Sequence, residues 1–176
     1  MKNKLTLTLL VLAAICFGQQ AKAQVKFDVT TPVILSIDLS ASVISIELGA
    51  TPAVNFVYAT AADYASAKTI QKPGHLTVIS NKAYDLAVKA ETEFASTSSE
   101  NLPLSLVTVS VDAATANGGT LNSRSLTMAN QTLVTSADPS TTAVFDVDYS
   151  IPDASQLIAL AKEVYTTTVV YTATQL

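Results

Sequence analysis

Two aspartates and one histidine are the side chains whose type and placement would support chemistry. Asp146 and Asp148 lie two apart in the alternating run Phe145-Asp-Val-Asp-Tyr-Ser-Ile151. On a strand both carboxylates project from one face, roughly 6–7 Å apart. That separation suits a glycosidase pair or part of a calcium site, and it makes a hydrolase the most remote of three functional readings. No partner in the sequence completes either site. The plainer account is a polar face that keeps an amphipathic strand in water and discourages edge pairing. His75 is the only histidine, so a histidine-paired nucleophile or a multi-histidine zinc site has one candidate at most. It follows Pro73-Gly74 at the start of a strand-like run, where a solvated imidazole is ordinary.

The other chemical signals are weaker. Cys16 is the only cysteine, and an acylated cysteine wants a small residue before it, whereas Ile15 is large and branched. No GxSxG elbow, GxxxxGK[ST] loop or GxGxxG fingerprint occurs. Asn130-Gln131-Thr132 matches the glycosylation sequon, and Glu91 and Glu93 read as a hydrated loop. The reading is a non-enzyme with no catalytic residue, no cofactor and no metal ligand set.

The compartment is written in residues 1–23. Lys2 and Lys4 precede an apolar run from Leu5 to Phe17 that is short for a membrane span, and Ala21-Lys22-Ala23 supplies a small-x-small cleavage pattern. Residues 1–23 are expected to be a signal peptide and residues 24–176 a single exported domain, secreted or at the cell surface. Those 153 residues suffice for one core. They carry 7 basic and 14 acidic side chains, a net charge of −7, which argues against nucleic acid or anionic lipid as partner. They contain no cysteine, so no disulfide framework is available, and no second run approaches the ~20 apolar residues of a membrane helix.

The elements that must position these residues follow a period of two. Val25, Phe27 and Val29 alternate with polar neighbours, and beyond Thr31-Pro32 come Val33–Leu39 and Val43–Leu48. Val54–Tyr58 is a short strand candidate, and Ala59–Lys68 fits either a helical turn or a surface excursion. Lys72-Pro73-Gly74 is a turn by composition. His75–Ser80 and Tyr84–Ala90 across Asn81-Lys82 predict a hairpin, and Leu104–Val111 predicts a strand. Asn117-Gly118-Gly119 is the strongest turn signal, followed by short strands at Ser125–Met128 and Thr132–Thr135. Asp138-Pro139-Ser140 predicts a turn before the strand Phe145–Ile151. Asp153 and Gln156 fit a capping box, and Leu157, Leu160, Ala161 and Val164 recur at helical spacing, which predicts a helix of two to three turns near 154–163. Tyr165–Gln175 returns to strand composition. The aromatics Phe27, Phe56, Tyr58, Tyr84, Phe145, Tyr149, Tyr165 and Tyr171 fit core packing better than a sugar-stacking platform, because most occupy the apolar phase of their strands. Eight to ten short strands punctuated by turns describe an all-β, immunoglobulin-like antiparallel β-sandwich with one short helix.

An antiparallel sandwich has open edges that invite another strand. On the expected cleavage the chain begins at once with an amphipathic strand, so Val25, Phe27, Val29, Val33, Leu35, Ile37 and Leu39 either pair within their own domain or leave it to complete a neighbour's sheet.

The targeting segment, the alternating N-terminal strand, the stretch FVYATAADYASAKTIQKPGHLTVISNKAYDLAVKA and the close YTTTVVYTATQL resemble small secreted β-sandwich proteins of Bacteroidetes type. These look distantly like pilin and spore-coat-U-type subunits and like WxL surface domains. The resemblance implies that Tyr165, Val169 and Tyr171 belong to a closing strand and that Val25–Leu39 donates itself to the next subunit. It departs from the WxL pattern, which needs tryptophan where this chain has Tyr171-Thr-Ala, and from the disulfide many pilins carry. The resulting expectation is an extracellular structural or adhesive protein that associates with itself or related subunits. The alternative is a monomeric cell-wall or glycan-binding module.

Overall fold

The structure is a computed structural model that describes residues 35–98 and 102–176. The chain divides into two units, Met1–Asp38 and Leu39–Leu176. Of the first, residues 35–38 are described and carry no regular secondary structure. Val25, Phe27, Val29 and Val33 lie outside the described residues. Leu35, Ile37 and Leu39 are in no strand, so the expected run Val33–Leu39 has no ladder over its described part.

The second unit is the antiparallel all-β sandwich that the alternation predicts. Its strands are β1 (Ile44–Leu48), β2 (Lys68–Ser80), β3 (Tyr84–Ala90), β4 (Thr108–Val111), β5 (Thr120–Leu121), β6 (Arg124–Ser125), β7 (Gln131–Ala137), β8 (Ser140–Ile151) and β9 (Val169–Gln175). One sheet runs β1-β2-β8-β4-β6 and the other β5-β7-β3-β9. The facing sides carry the aliphatic phase: Leu76 and Val78 of β2, Val109 of β4 and Val147 of β8 meet Leu86 and Val88 of β3, all fully buried. Tyr84 of β3 crosses to Phe145 of β8 edge-to-face, with ring centroids 6.5 Å apart. That geometry favours the positive ring edge against the negative face.

Several expectations need correction. β2 and β3 do not form a hairpin, since they belong to different sheets. Asn81 explains why. Its amide nitrogen and backbone N–H donate to Ala41 O (2.7 Å) and Val43 O (3.2 Å), and its Oδ1 accepts from Val43 N at 2.9 Å. The turn is thus tied to the segment before β1, and the chain steps across the core. The hydrogen bonds at Asn117-Gly118 likewise serve a sheet change, from β4 to β5, with both residues at positive φ (45° and 76°). Val54–Tyr58 makes no ladder. Leu104–Leu106 is a 3-10 turn, which leaves only Thr108–Val111 as strand. The predicted short helix near 154–163 is a five-residue 3-10 segment, Ser155–Ala159, where Asp153 Oδ1 accepts from Ser155 N at 2.9 Å. The expected capping box is not formed: the N-cap is Ala154, which has no side-chain cap, and Asp153 accepts from the next-but-one amide instead. Tyr165 lies before β9 rather than in it, and its hydroxyl donates to Ala161 O at 3.2 Å. The alanine-rich stretch contains α1 (Ala61–Tyr64), opened by the Thr60 amide donating to Asp63 Oδ2 at 2.7 Å.

With no cysteine in 24–176, packing and ladder bonds are the resources the sandwich has. Phe145→Ala removes the central ring and is expected to cost about 3–5 kcal/mol, read from the midpoint of urea unfolding. A loss below about 1 kcal/mol would place Phe145 outside the cooperative core.

Candidate functional site

The site grows from an irregularity in β2. Lys72 pairs with Val147 and Leu76 with Phe145, so four steps along β2 match two along β8. Two extra residues are accommodated there as a bulge. Pro73, which has no N–H to give, sits within it, and Gly74 takes φ 58°. Two contacts pin the bulge. Asp146 Oδ1 accepts from Gly74 N at 2.6 Å, and Gly49 N, just past β1, donates to His75 O at 2.8 Å. A Cβ on Gly49 would stand 2.4 Å from Gly74 O, so only glycine fits that approach.

The bulge changes the fate of His75. By simple alternation it would share the outward phase with Thr77 and Ile79. Instead it is 3% exposed, beside buried Leu76. Its Nε2 shares a 2.9 Å hydrogen bond with Tyr149 Oη, whose hydroxyl is in turn hydrogen-bonded to Tyr171 Oη. The imidazole stands edge-on to both rings, with centroids 5.6 and 5.8 Å away. The expectation of a solvated histidine is therefore overturned. Burial, aided by the positive charge of Lys72, pushes the imidazole pKa down from its ordinary 6.5. Burial drives the Tyr149 phenol up to about 12, and the Tyr171 phenol is raised further by burial and by Tyr149. All three groups are uncharged at neutral pH.

The trio lines a cleft of about 1380 Å³. One wall is the extended segment Val54–Tyr58, whose Val54, Phe56 and Tyr58 are half-buried while their alternate neighbours are exposed. Lysine side chains tie this segment to β2, with Lys72 Nζ donating to Ala53 O at 3.0 Å and Lys68 Nζ to Val57 O. The other wall is the stretch 157–167, including Leu157, Leu160 and Tyr165. Glu163 fastens it to the loop after β3 by accepting from Ser98 N at 3.1 Å and from the hydroxyls of Thr97 and Ser98. The Tyr58 hydroxyl is buried and has no hydrogen-bond partner among the described residues.

The residues singled out by sequence fall apart in space and role. Asp146 holds the bulge, and its neighbour Asp148 is half-buried opposite Gln71 and Ser110. Among the described residues no three His, Cys, Asp or Glu side chains come together as a metal site requires, and no helix is long and apolar enough to cross a membrane. Asn130 is exposed just before β7, and Glu91 and Glu93 are exposed after β3. The expected closing-strand residues Tyr165, Val169 and Tyr171 all line the cleft, whereas Tyr84 of β3 and Phe145 of β8 are core. The hydroxyl chain was missed because its members are 22 and 74 residues apart. The one available signal was Pro-Gly inside a strand, which marks a bulge. No family model matches the chain, and no curated protein matches it.

Two outcomes test the site. Asp146→Ala leaves the Gly74 amide unpaired and is expected to cost about 1–3 kcal/mol in chemical denaturation, against under about 0.5 for Asp148→Ala. The lowered imidazole pKa means the unfolded chain binds a proton that the folded chain refuses. Stability is therefore full above pH 6.5 and falls as pH is lowered from there through the folded value. NMR titration of His75 should give a midpoint under 6.5, and a midpoint above it contradicts this arrangement.

Proposed function

We propose that this is an extracellular, non-enzymatic structural or adhesive subunit that assembles by strand addition through residues 25–39. The observation that carries the reading is the segment's described end. Leu35, Ile37 and Leu39 alternate as on a strand, yet they are 83, 75 and 83% exposed and have no ladder partner among the described residues. Three large aliphatic side chains presented this way are what strand addition buries.

A suitable acceptor supports it. β1 pairs only with β2 among the described residues, which leaves its outer edge as a row of backbone donors and acceptors. Its sequence Ile-Ser-Ile-Glu-Leu has one charge, and Val43, Ile44 and Leu48 are exposed. Of the features that protect edges, β1 has shortness and one charge but no proline. The signal-like residues 1–23 and the net charge of −7 over 24–176 suit an exported, soluble subunit.

Residues 24–176 and 40–176 are to be compared by sedimentation velocity, with a synthetic peptide of residues 25–39 added back to the shorter form. Assembly of the longer form alone, and peptide binding by the shorter, are expected. Two monomers of equal stability and no peptide binding would end the reading.

A further inference from the structure

We propose that the cleft between Val54–Tyr58 and the 157–167 stretch is a binding site for a single-chain, uncharged amphiphile with a hydroxyl head. The claim is independent of assembly, which concerns the β1 edge and residues 25–39. Its volume of about 1380 Å³ exceeds the roughly 300–1,000 Å³ of common small-molecule sites, so it suits an extended ligand. Its walls are supplied by Val54, Phe56, Leu106, Leu157, Leu160 and Val169, which offer contact to methylenes and no hydrogen bonds.

The polar floor selects the head. The chain His75–Tyr149–Tyr171 runs in one of two directions. If His75 Nε2–H donates to Tyr149 and Tyr149 to Tyr171, the Tyr171 proton is unspent. If Tyr171 donates to Tyr149 and Tyr149 to the imidazole, Tyr171 keeps a free lone pair. Either way Tyr171, at the end of the chain, has at least one hydrogen-bonding position left among the described residues. Tyr58 Oη, whose ring is on the same lining, is buried with no hydrogen-bond partner among the described residues. Orphaned buried hydroxyls are rare and call for an explanation. A hydroxyl both donates and accepts, so it completes Tyr171 in either direction of the chain. A carbonyl satisfies only one direction. A carboxylate on this floor would face uncharged phenols and an uncharged imidazole, while the nearby Lys68 is already paired with Asp63 and Lys72 is held by Ala53 O.

The entrance lies where apolar side chains are already in water: Val57 on one lip, Ile158 and Val164 on the other, all exposed. Their exposure makes them safe places to disturb the site without disturbing the fold.

The test uses the purified chain and the fluorescent probe N-phenyl-1-naphthylamine, displaced by 1-octanol, 1-decanol and 1-dodecanol below their solubility limits. Saturable probe binding is expected, with alcohol affinity rising about fourfold per methylene. Ile158→Glu with Val164→Glu should weaken probe and alcohols at least tenfold, with the circular-dichroism melt unchanged. Tyr171→Phe should weaken dodecanol about two- to tenfold and leave the probe's own affinity intact. The proposal is overturned by an absence of saturable binding, by affinity indifferent to chain length, or by folded lip variants that bind as well as the parent. It is overturned equally if laurate binds as tightly as dodecanol, or if a peptide of residues 25–39 displaces the probe, which would make the cleft a peptide site.

Discussion

The rest of this sandwich depends on how Asp146 and Gly49 hold two extra residues in β2. A bulge of two keeps the parity of the strand, so Ile70 and Lys72 before it and Leu76 and Val78 after it share the inward phase. An insertion of one residue would have sent half of the strand's aliphatics to solvent. The carboxylate of Asp146 takes the Gly74 amide that the ladder cannot, and Gly49 takes the His75 carbonyl. Both backbone groups are therefore satisfied at the point of greatest irregularity. The price is a strict requirement at position 49, where any side chain meets the Gly74 carbonyl.

From that anchored pair follows the unequal shape of the two sheets. β2 and β8 run 13 and 12 residues, while β3, β7 and β9 run 7 each. The long pair presents more inward surface than the opposing strands can cover. Irregular segments cover the excess: Val54–Tyr58, the 3-10 turn at Leu104–Leu106 and the stretch 157–167. Such segments bring side chains without a ladder, and here lysine ammonium groups and Glu163 hold them in place. A cleft is the natural result where two irregular covers meet over a sheet.

Much of this architecture is legible in the sequence because one-sided burial imposes a period of two. Phe145, Val147, Tyr149 and Ile151 are buried in turn, as their spacing predicts, and Tyr84–Ala90 is a strand with the stated boundaries. Periodicity fixes which face is buried but not which strand lies alongside, so Asn81-Lys82 looks like a hairpin turn although its hydrogen bonds lead to residues 41 and 43. Where long-range contacts replace the ladder, the pattern also misleads. Val54, Phe56 and Tyr58 alternate correctly yet pair with no strand. His75 is the sharpest case. Its phase reads as outward, and only the positive φ at Gly74 turns it in. The hydroxyl chain it joins links β2, β8 and β9, a juxtaposition that no local pattern encodes.

The same trio weighs on whether the cleft is built for reaction or for holding. A general acid or base works best with a pKa near the working pH. Burial moves His75 down from that range and Tyr149 up to about 12, each toward its uncharged form. Among the described residues no carboxylate offsets the shift, which comes from burial and the charge of Lys72. A Ser-His-Asp arrangement does the reverse, using a buried aspartate to stabilise an imidazolium. Hydroxyls and an imidazole kept neutral and hydrogen-bonded to one another resist proton transfer and keep fixed directions. Such a trio suits the proposed role of orienting a hydroxyl head.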